Sequence, residues 1–208
     1  MKTTNHRSLG ARIAGILSAA ALLAFLSVPA QAGVIISISP GTVTAGAPST
    51  SNFFDVLLTL DTATTLDIAG FSFGVNSAST DVNLTGVLST TPNYVFGVDS
   101  LFGPNIQTTT GSSVVASDLY SGVGNITLAG NSSYSLGRVF FDVSPTSAYG
   151  TYTLTLDTLA TSLSDANGDP VGITTLTNGN VDIVTPEPGS AALFLLGLPA
   201  LAFLRKRR

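Results

Sequence analysis

Two neighbouring stretches decide the fold, Leu136-Gly137-Arg138-Val139-Phe140-Phe141-Asp142-Val143 and Tyr149-Gly150-Thr151-Tyr152-Thr153-Leu154-Thr155-Leu156. In each stretch every second residue is large and apolar, which is the period of a β-strand with one buried face. Ser144-Pro145 lies between them, and such a pair is typical of a turn. The two stretches therefore predict paired strands late in an all-β domain.

The same alternation continues outward through residues 33–185, with short apolar runs separated by Gly, Ser, Asn and Pro. Many short strands with frequent turn signals indicate a β-sandwich or barrel, and we expect about nine strands in a single domain. Besides the two stretches above, strands are predicted at 34–39, 53–60, 71–75 and 180–184, and weaker strand signals, not all of which add a separate strand, lie at 82–88, 94–98, 113–116, 125–128 and 159–163.

The N-terminal segment 1–32 has the three parts of a secretory signal peptide. Lys2, Arg7 and Arg12 precede an uncharged run at 13–28, and Ala30-Gln31-Ala32 comes directly before Gly33. The small residues Ala30 and Ala32 predict cleavage by signal peptidase before Gly33, whereas an amphipathic or core helix is the alternative.

The C-terminal segment 186–208 has the pattern of a second targeting segment. Pro186-Glu187-Pro188 precedes an uncharged run at 191–204, and Arg205-Lys206-Arg207-Arg208 ends the sequence. Cations after an apolar helix hold that end on the cytoplasmic side of a membrane. The run is shorter than the roughly 20 residues of a comfortable span, so it predicts either a short transmembrane anchor or a tail that is cut away.

Pro186, Glu187 and Pro188, with the apolar run and the basic terminus, resemble the PEP-CTERM sorting signal of exopolysaccharide-producing Gram-negative bacteria. The resemblance implies an inner-membrane precursor that an exosortase processes near the Pro-Glu-Pro motif. It also implies a final place at the cell surface or in the extracellular matrix.

Composition excludes several kinds of function for the segment between the two ends. From Gly33 to Glu187 the chain carries all twelve acidic residues and one cation, Arg138, a net charge of −11 against −4 for the whole chain. Nucleic acid is therefore a poor partner. The segment has no His, Cys or Lys, so catalytic pairs with histidine and zinc sites with His or Cys are excluded. A carboxylate pair is the remaining route to catalysis, and we expect no enzyme.

The stretch from Ile36 to Gly46 and the two late stretches are similar to strands of cohesin domains, and 164–170 is similar to the turn before their last strand. The resemblance implies a cohesin-like jelly-roll β-sandwich, related to carbohydrate-binding modules, over residues 33–185. It also implies a dockerin-like protein as partner, although no short motif identifies the contacting side chains.

Two groups of residues are candidates for a binding site. Asp165, Asn167 and Asp169 offer the oxygen ligands that Ca²⁺ prefers, but their spacing departs from the EF-hand loop and a plain turn explains Asn167-Gly168 equally well. Amphipathic aromatic side chains stack on sugars or pack in cores, and six are candidates for either role: Tyr94, Phe96, Phe102, Tyr120, Tyr134 and Tyr149.

These observations together predict a non-catalytic exported protein of the cell surface or matrix that acts as a binding module. The alternatives are a carbohydrate-binding module for exopolysaccharide, a purely structural matrix protein and, more distantly, a glycosidase with two carboxylates. Aromatic residues on one exposed face would favour sugar binding, whereas a flat face without them would favour a protein partner.

Overall fold

The computed structural model describes residues 33–44, 52–108 and 110–184. The predicted signal peptide, with its cleavage site at Ala30 and Ala32, and the predicted sorting tail, with Glu187 and the terminal cations, lie outside these ranges. Within the described ranges, no helix is long and apolar enough to span a membrane.

Thirteen strands follow one another through the described ranges, and most of them alternate buried with partly exposed residues. They are β1 Val34–Ile38, β2 Gly41–Thr44, β3 Phe53–Leu60, β4 Leu66–Ile68, β5 Gly70–Ser77, β6 Val82–Leu88, β7 Ser113–Leu119, β8 Ile126–Leu128, β9 Ser133–Val143, β10 Gly150–Ser164, β11 Pro170–Val171, β12 Thr175–Thr177 and β13 Gly179–Val184.

The strands form two main sheets. One has five strands in the order β12-β1-β3-β9-β6, and the other has the order β2-β13-β10-β5-β7 with β11 paired to β10. Pairing is antiparallel except for β1 with β12 and β13 with β2. The two short strands β4 and β8 form a small third sheet. The prediction of an all-β sandwich is therefore confirmed.

One hydrophobic core is shared by the two main sheets, because each strand turns every second side chain inward. Phe54 and Phe141 lie 5.8 Å apart between their ring centroids, and Phe73 is stacked on Phe71 at 6.1 Å. The late stretches quoted at the outset fall in β9 and β10, and their alternating apolar residues contribute Val139, Phe141, Leu154 and Leu156 to this core.

The predicted strand at 94–98 is wrong. Tyr94 makes one bridge to Ser135, and the residues after it form turns. Asn93 and Gly97 have φ angles of 55° and 56°, a left-handed backbone that interrupts an extended strand. Tyr94, Val95 and Phe96 are buried all the same, so their apolar character reflects the core rather than a strand.

The predicted strand at 159–163 is part of the long strand β10 and does not stand alone. The short strands β2, β4, β11 and β12 were not predicted as separate elements, because segments of two to four residues show too little alternation to be recognised.

Candidate protein-binding face

The outer face of the six-stranded sheet is mostly polar. Along β2, β13, β10, β5 and β7 the outward side chains are mostly small hydroxyl, amide and carboxylate groups, with Val115, Leu119, Leu159 and Val184 as apolar exceptions, and these strands turn no aromatic side chain outward. The polar set comprises Thr42, Thr44, Ser72, Asn76, Ser113, Ser117, Thr151, Thr153, Thr155, Asp157, Asn180 and Asp182.

A bulge in β10 places one large apolar side chain on this face. The register of β10 with β5 shifts between Asp157 and Ser162, so the residues between them rise out of the ladder. Leu159 lies within the bulge and is 96 % exposed. A single exposed leucine is common on protein surfaces, so Leu159 is a candidate contact point only together with the fixed bulge and the other exposed leucines of this face.

The bulge is held by specific contacts. The Asp157 carboxylate accepts hydrogen bonds from the backbone N–H of Leu159 at 2.9 Å and of Ala160 at 3.4 Å, and the Ser72 hydroxyl donates to the Ala160 carbonyl at 2.9 Å. Gly74 lies beneath, where a Cβ atom would be only 2.7 Å from the Ala160 Cβ. These contacts therefore fix the backbone from which the Leu159 side chain extends into solvent.

Two further exposed leucines lie at the edge of the face, Leu119 as the last residue of β7 and Leu101 on the loop opposite it. The Leu101 N–H donates to the Leu119 carbonyl at 3.0 Å, and Ser100 forms an antiparallel bridge with Tyr120. Residues 101 and 119 are thus opposite one another, and both side chains are about half exposed. Cross-strand apolar pairs of this kind stabilise one another and offer a small apolar patch.

The buried Asp118 side chain holds the backbone of Leu101 and Leu119 in place from the core side of the sheet. Its carboxylate is fully buried and accepts hydrogen bonds from the Tyr94 and Ser100 hydroxyls and from three backbone N–H groups, those of Leu101, Phe102 and Leu119. Burial and the hydrogen bond to Asp118 raise the pKa of the Tyr94 phenol, which therefore stays protonated and donates. Sequence reasoning missed this residue, although Asp118 continues the inward phase of Val114 and Ala116.

An open groove lies beside Leu119. Its volume is about 320 Å³, and its walls include Tyr120, Ser164, Asp165 and the backbone of Gly122 and Gly124. The groove borders the leucine pair and continues the candidate face towards the 165–169 turn.

The calcium candidates Asp165, Asn167 and Asp169 form a turn. The Asp165 Oδ1 atom accepts the backbone N–H groups of Asn167 and Asp169, both at 2.9 Å, and Gly168 has the left-handed φ of 82° that this turn requires. The described residues contain no cluster of three or more acidic or imidazole side chains that could hold a metal ion.

The six aromatic candidates do not meet on one exposed face. Tyr94 and Phe96 are core residues, and Tyr120 and Tyr134 are partly buried and pack against the core. Phe102 and Tyr149 are exposed but lie on different loops, after β6 and after β9. None of the six therefore adds an aromatic ring to the outer face of the six-stranded sheet.

Several solved structures share this arrangement of strands. One is the seventh ScaB type I cohesin from Pseudobacteroides cellulosolvens, with a TM-score of 0.55, 14% identity, and coverage of 76% of this chain and 96% of that chain. The domain has the fold of a cohesin module. The sixth cohesin of Acetivibrio cellulolyticus scaffoldin B, solved with a Cel5 dockerin, gives a TM-score of 0.55 at 18% identity and covers 73% of this chain and 99% of that one.

A type III cohesin from the ScaE cell-surface anchoring scaffoldin of Ruminococcus flavefaciens gives a TM-score of 0.52 at 11% identity, covering 74% of this chain and 89% of that one. No protein-family model and no curated protein matches the sequence. The likeness to these structures, which confirms the resemblance in fold, identifies the architecture alone.

Proposed function

We propose that this chain is a non-catalytic, exported protein-binding module, and that it binds its partner through the outer face of the six-stranded sheet. The observation that carries the proposal is the bulge that holds Leu159 almost fully exposed on a mostly polar face without aromatic rings. Rigid display of an apolar side chain lowers the entropy lost on binding, because the contact is already in place.

The partner is a protein with an apolar pocket surrounded by basic residues. Asp157 and Asp182 lie on the face, and the described ranges carry eleven aspartates against one arginine, so a cationic rim is attracted and an anionic one is repelled. Cohesins of the same fold were solved in complex with dockerins, which supports a dockerin-like protein as the class of partner. A face without aromatic rings gives no support to the carbohydrate-binding alternative.

Paired variants test this proposal by affinity capture from the source organism's envelope. Leu159→Ser should lower the amount of the captured protein by roughly tenfold or more, because a central apolar anchor dominates interface energy. Tyr149→Ser is the matched control, since Tyr149 is a large exposed side chain on a loop outside both sheet faces. Equal capture by both variants, or capture of polysaccharide alone, would contradict the proposal.

Delivery and sorting complete the proposed function, and they rest on the sequence at the two ends. Signal peptidase would cleave after Ala32, and an exosortase would recognise Pro186, Glu187 and Pro188 while Arg205–Arg208 holds the precursor in the inner membrane. In a host with an exosortase, Glu187→Ala should accumulate the full-length form in the inner membrane. If this variant has the same mass and the same fractionation as the wild type, the tail is a membrane anchor and not a sorting signal.

A further inference from the structure

The outer face of the five-stranded sheet differs in character from the face just described. Large apolar side chains point outward from its strands: Phe53 is 40 % exposed, and Phe140, Leu57 and Ile35 are half-buried without packing against the core. A row of such side chains on one solvent-facing sheet surface indicates an interface.

An ion pair lies among these side chains. Phe53 is directly opposite Phe140, and Asp55 is directly opposite Arg138, so the two pairs occupy successive outward positions of β3 and β9. Arg138 donates from Nε to Asp55 Oδ1 at 2.8 Å and from Nη2 to Oδ2 at 2.9 Å. Its guanidinium carbon also lies 3.7 Å from the centre of the Phe53 ring. These contacts hold the arginine in one orientation.

The ion pair keeps hydrogen-bonding capacity for a second molecule. The bonds to Asp55 use the Nε donor and one donor of Nη2, which leaves three N–H donors, two on Nη1 and one on Nη2, and each Asp55 oxygen has a further lone pair. The hydrogen bond to Asp55 raises the pKa of Arg138, so the guanidinium stays charged at physiological pH. A patch with both a fixed cation and a fixed anion is complementary to itself after a twofold rotation.

The charge of the rest of the molecule restricts what can bind here. Arg138 is the one basic residue of the described ranges, against eleven aspartates, so two copies repel one another least where the two arginines lie. Stacking of a sugar on Phe53 is hindered, because the guanidinium of Arg138 already covers one face of the ring. A second copy of the chain would cover the apolar side chains and would also supply hydrogen-bond partners to the ion pair.

We infer that two copies of this chain associate through the outer face of the five-stranded sheet, with Arg138 of each copy meeting Asp55 of the other across a twofold axis. Phe53 and Phe140 of both copies form the apolar centre of the contact. The opposite face, with Leu159, stays free in each copy, so the dimer presents two outward-facing sites for the partner and gains avidity towards a multivalent partner.

Sedimentation equilibrium of the full-length chain in non-ionic detergent, over a wide range of concentration, tests this inference. The wild type should show a reversible monomer–dimer equilibrium. Arg138→Glu should raise the dimer dissociation constant by about tenfold or more, because it places like charges opposite one another. The double variant Asp55→Arg with Arg138→Asp restores both signs and should return the constant to within about threefold of the wild type.

Leu159→Ser is the matched control on the other face and should dimerise as the wild type does. Circular dichroism checks the fold of each variant, and Phe53→Ser replaces Arg138→Glu if that variant is unfolded. A wild type that remains monomeric at millimolar concentration, or an Arg138→Glu variant that dimerises normally, overturns the inference.

Discussion

Asp118 is a fully buried carboxylate that decides how the segment 94–103 lies on the sandwich. Five donors surround it, two hydroxyl groups and three backbone N–H groups. A buried charge is tolerated only with this degree of hydrogen bonding, and each donor would in turn be costly to leave unpaired. The sequence signal for it was weak, because one aspartate in the inward phase of a strand is easily taken as the end of that strand.

The Asp118→Ala variant should therefore be strongly destabilised. Removal of the carboxylate leaves the Tyr94 and Ser100 hydroxyls and the N–H groups of Phe102 and Leu119 without this acceptor, whereas the Leu101 N–H keeps the Leu119 carbonyl, and we expect a loss of roughly 3 kcal/mol or more in the free energy of unfolding. Urea denaturation measures the loss. Asp182→Ala is the control, since Asp182 is exposed and accepts one bond from Thr151, and it should change stability by less than about 1 kcal/mol. Equal losses for the two variants would show that Asp118 does not organise the segment.

The strands differ in how well the sequence predicts them. Long strands with regular alternation, such as β3 and β9, follow directly from the sequence because burial of one face imposes the period of two. In β10 the inward residues change from even to odd numbers between Leu156 and Thr161, which is the sequence signature of the bulge. That signature identifies the irregularity, but it gives no indication that Leu159 points into solvent.

Gly74→Ala tests the bulge as an element. The new methyl group would lie 2.7 Å from the Ala160 Cβ and 2.9 Å from the Asp157 Cβ, so the bulge has to move. We expect a loss of about 1–3 kcal/mol in stability, measured by urea denaturation, and weaker capture of the partner. Gly172→Ala is the matched control because nothing lies within 4 Å of its added methyl group. Unchanged stability of Gly74→Ala would mean that the bulge is not held by this close contact.

At the scale of the whole molecule, a single apolar core formed by both main sheets accounts for the stability of the domain. The Asp165 carboxylate already accepts N–H groups of its own turn. We therefore expect melting temperatures with Ca²⁺ and with chelator to differ by only a few degrees, and Asp165→Ala to lower both equally. A calcium-dependent rise well above about ten degrees would make the turn an ion site.

The fold could be predicted from the sequence, whereas the candidate site could not. The alternation of apolar and polar residues along β3, β9 and β10 indicates a β-sandwich independently of the conformation of the loops. The position of Leu159 depends on Gly74 and Ser72, which are more than 80 residues away in sequence. The leucine pair likewise depends on a backbone contact between the loop after β6 and the end of β7. Such contacts are created by tertiary packing and leave no local pattern.

The central claim is that the Leu159 face binds a protein, and site-specific photocrosslinking in the source organism tests it most directly. A photoreactive diazirine analogue of leucine, which keeps the apolar side chain, replaces Leu159 in one variant and the exposed Ala148, on the loop between β9 and β10, in the other. We predict a discrete protein adduct from position 159 and none from position 148. Absence of an adduct at 159, equal adducts at both positions, or an adduct containing only polysaccharide would contradict the account.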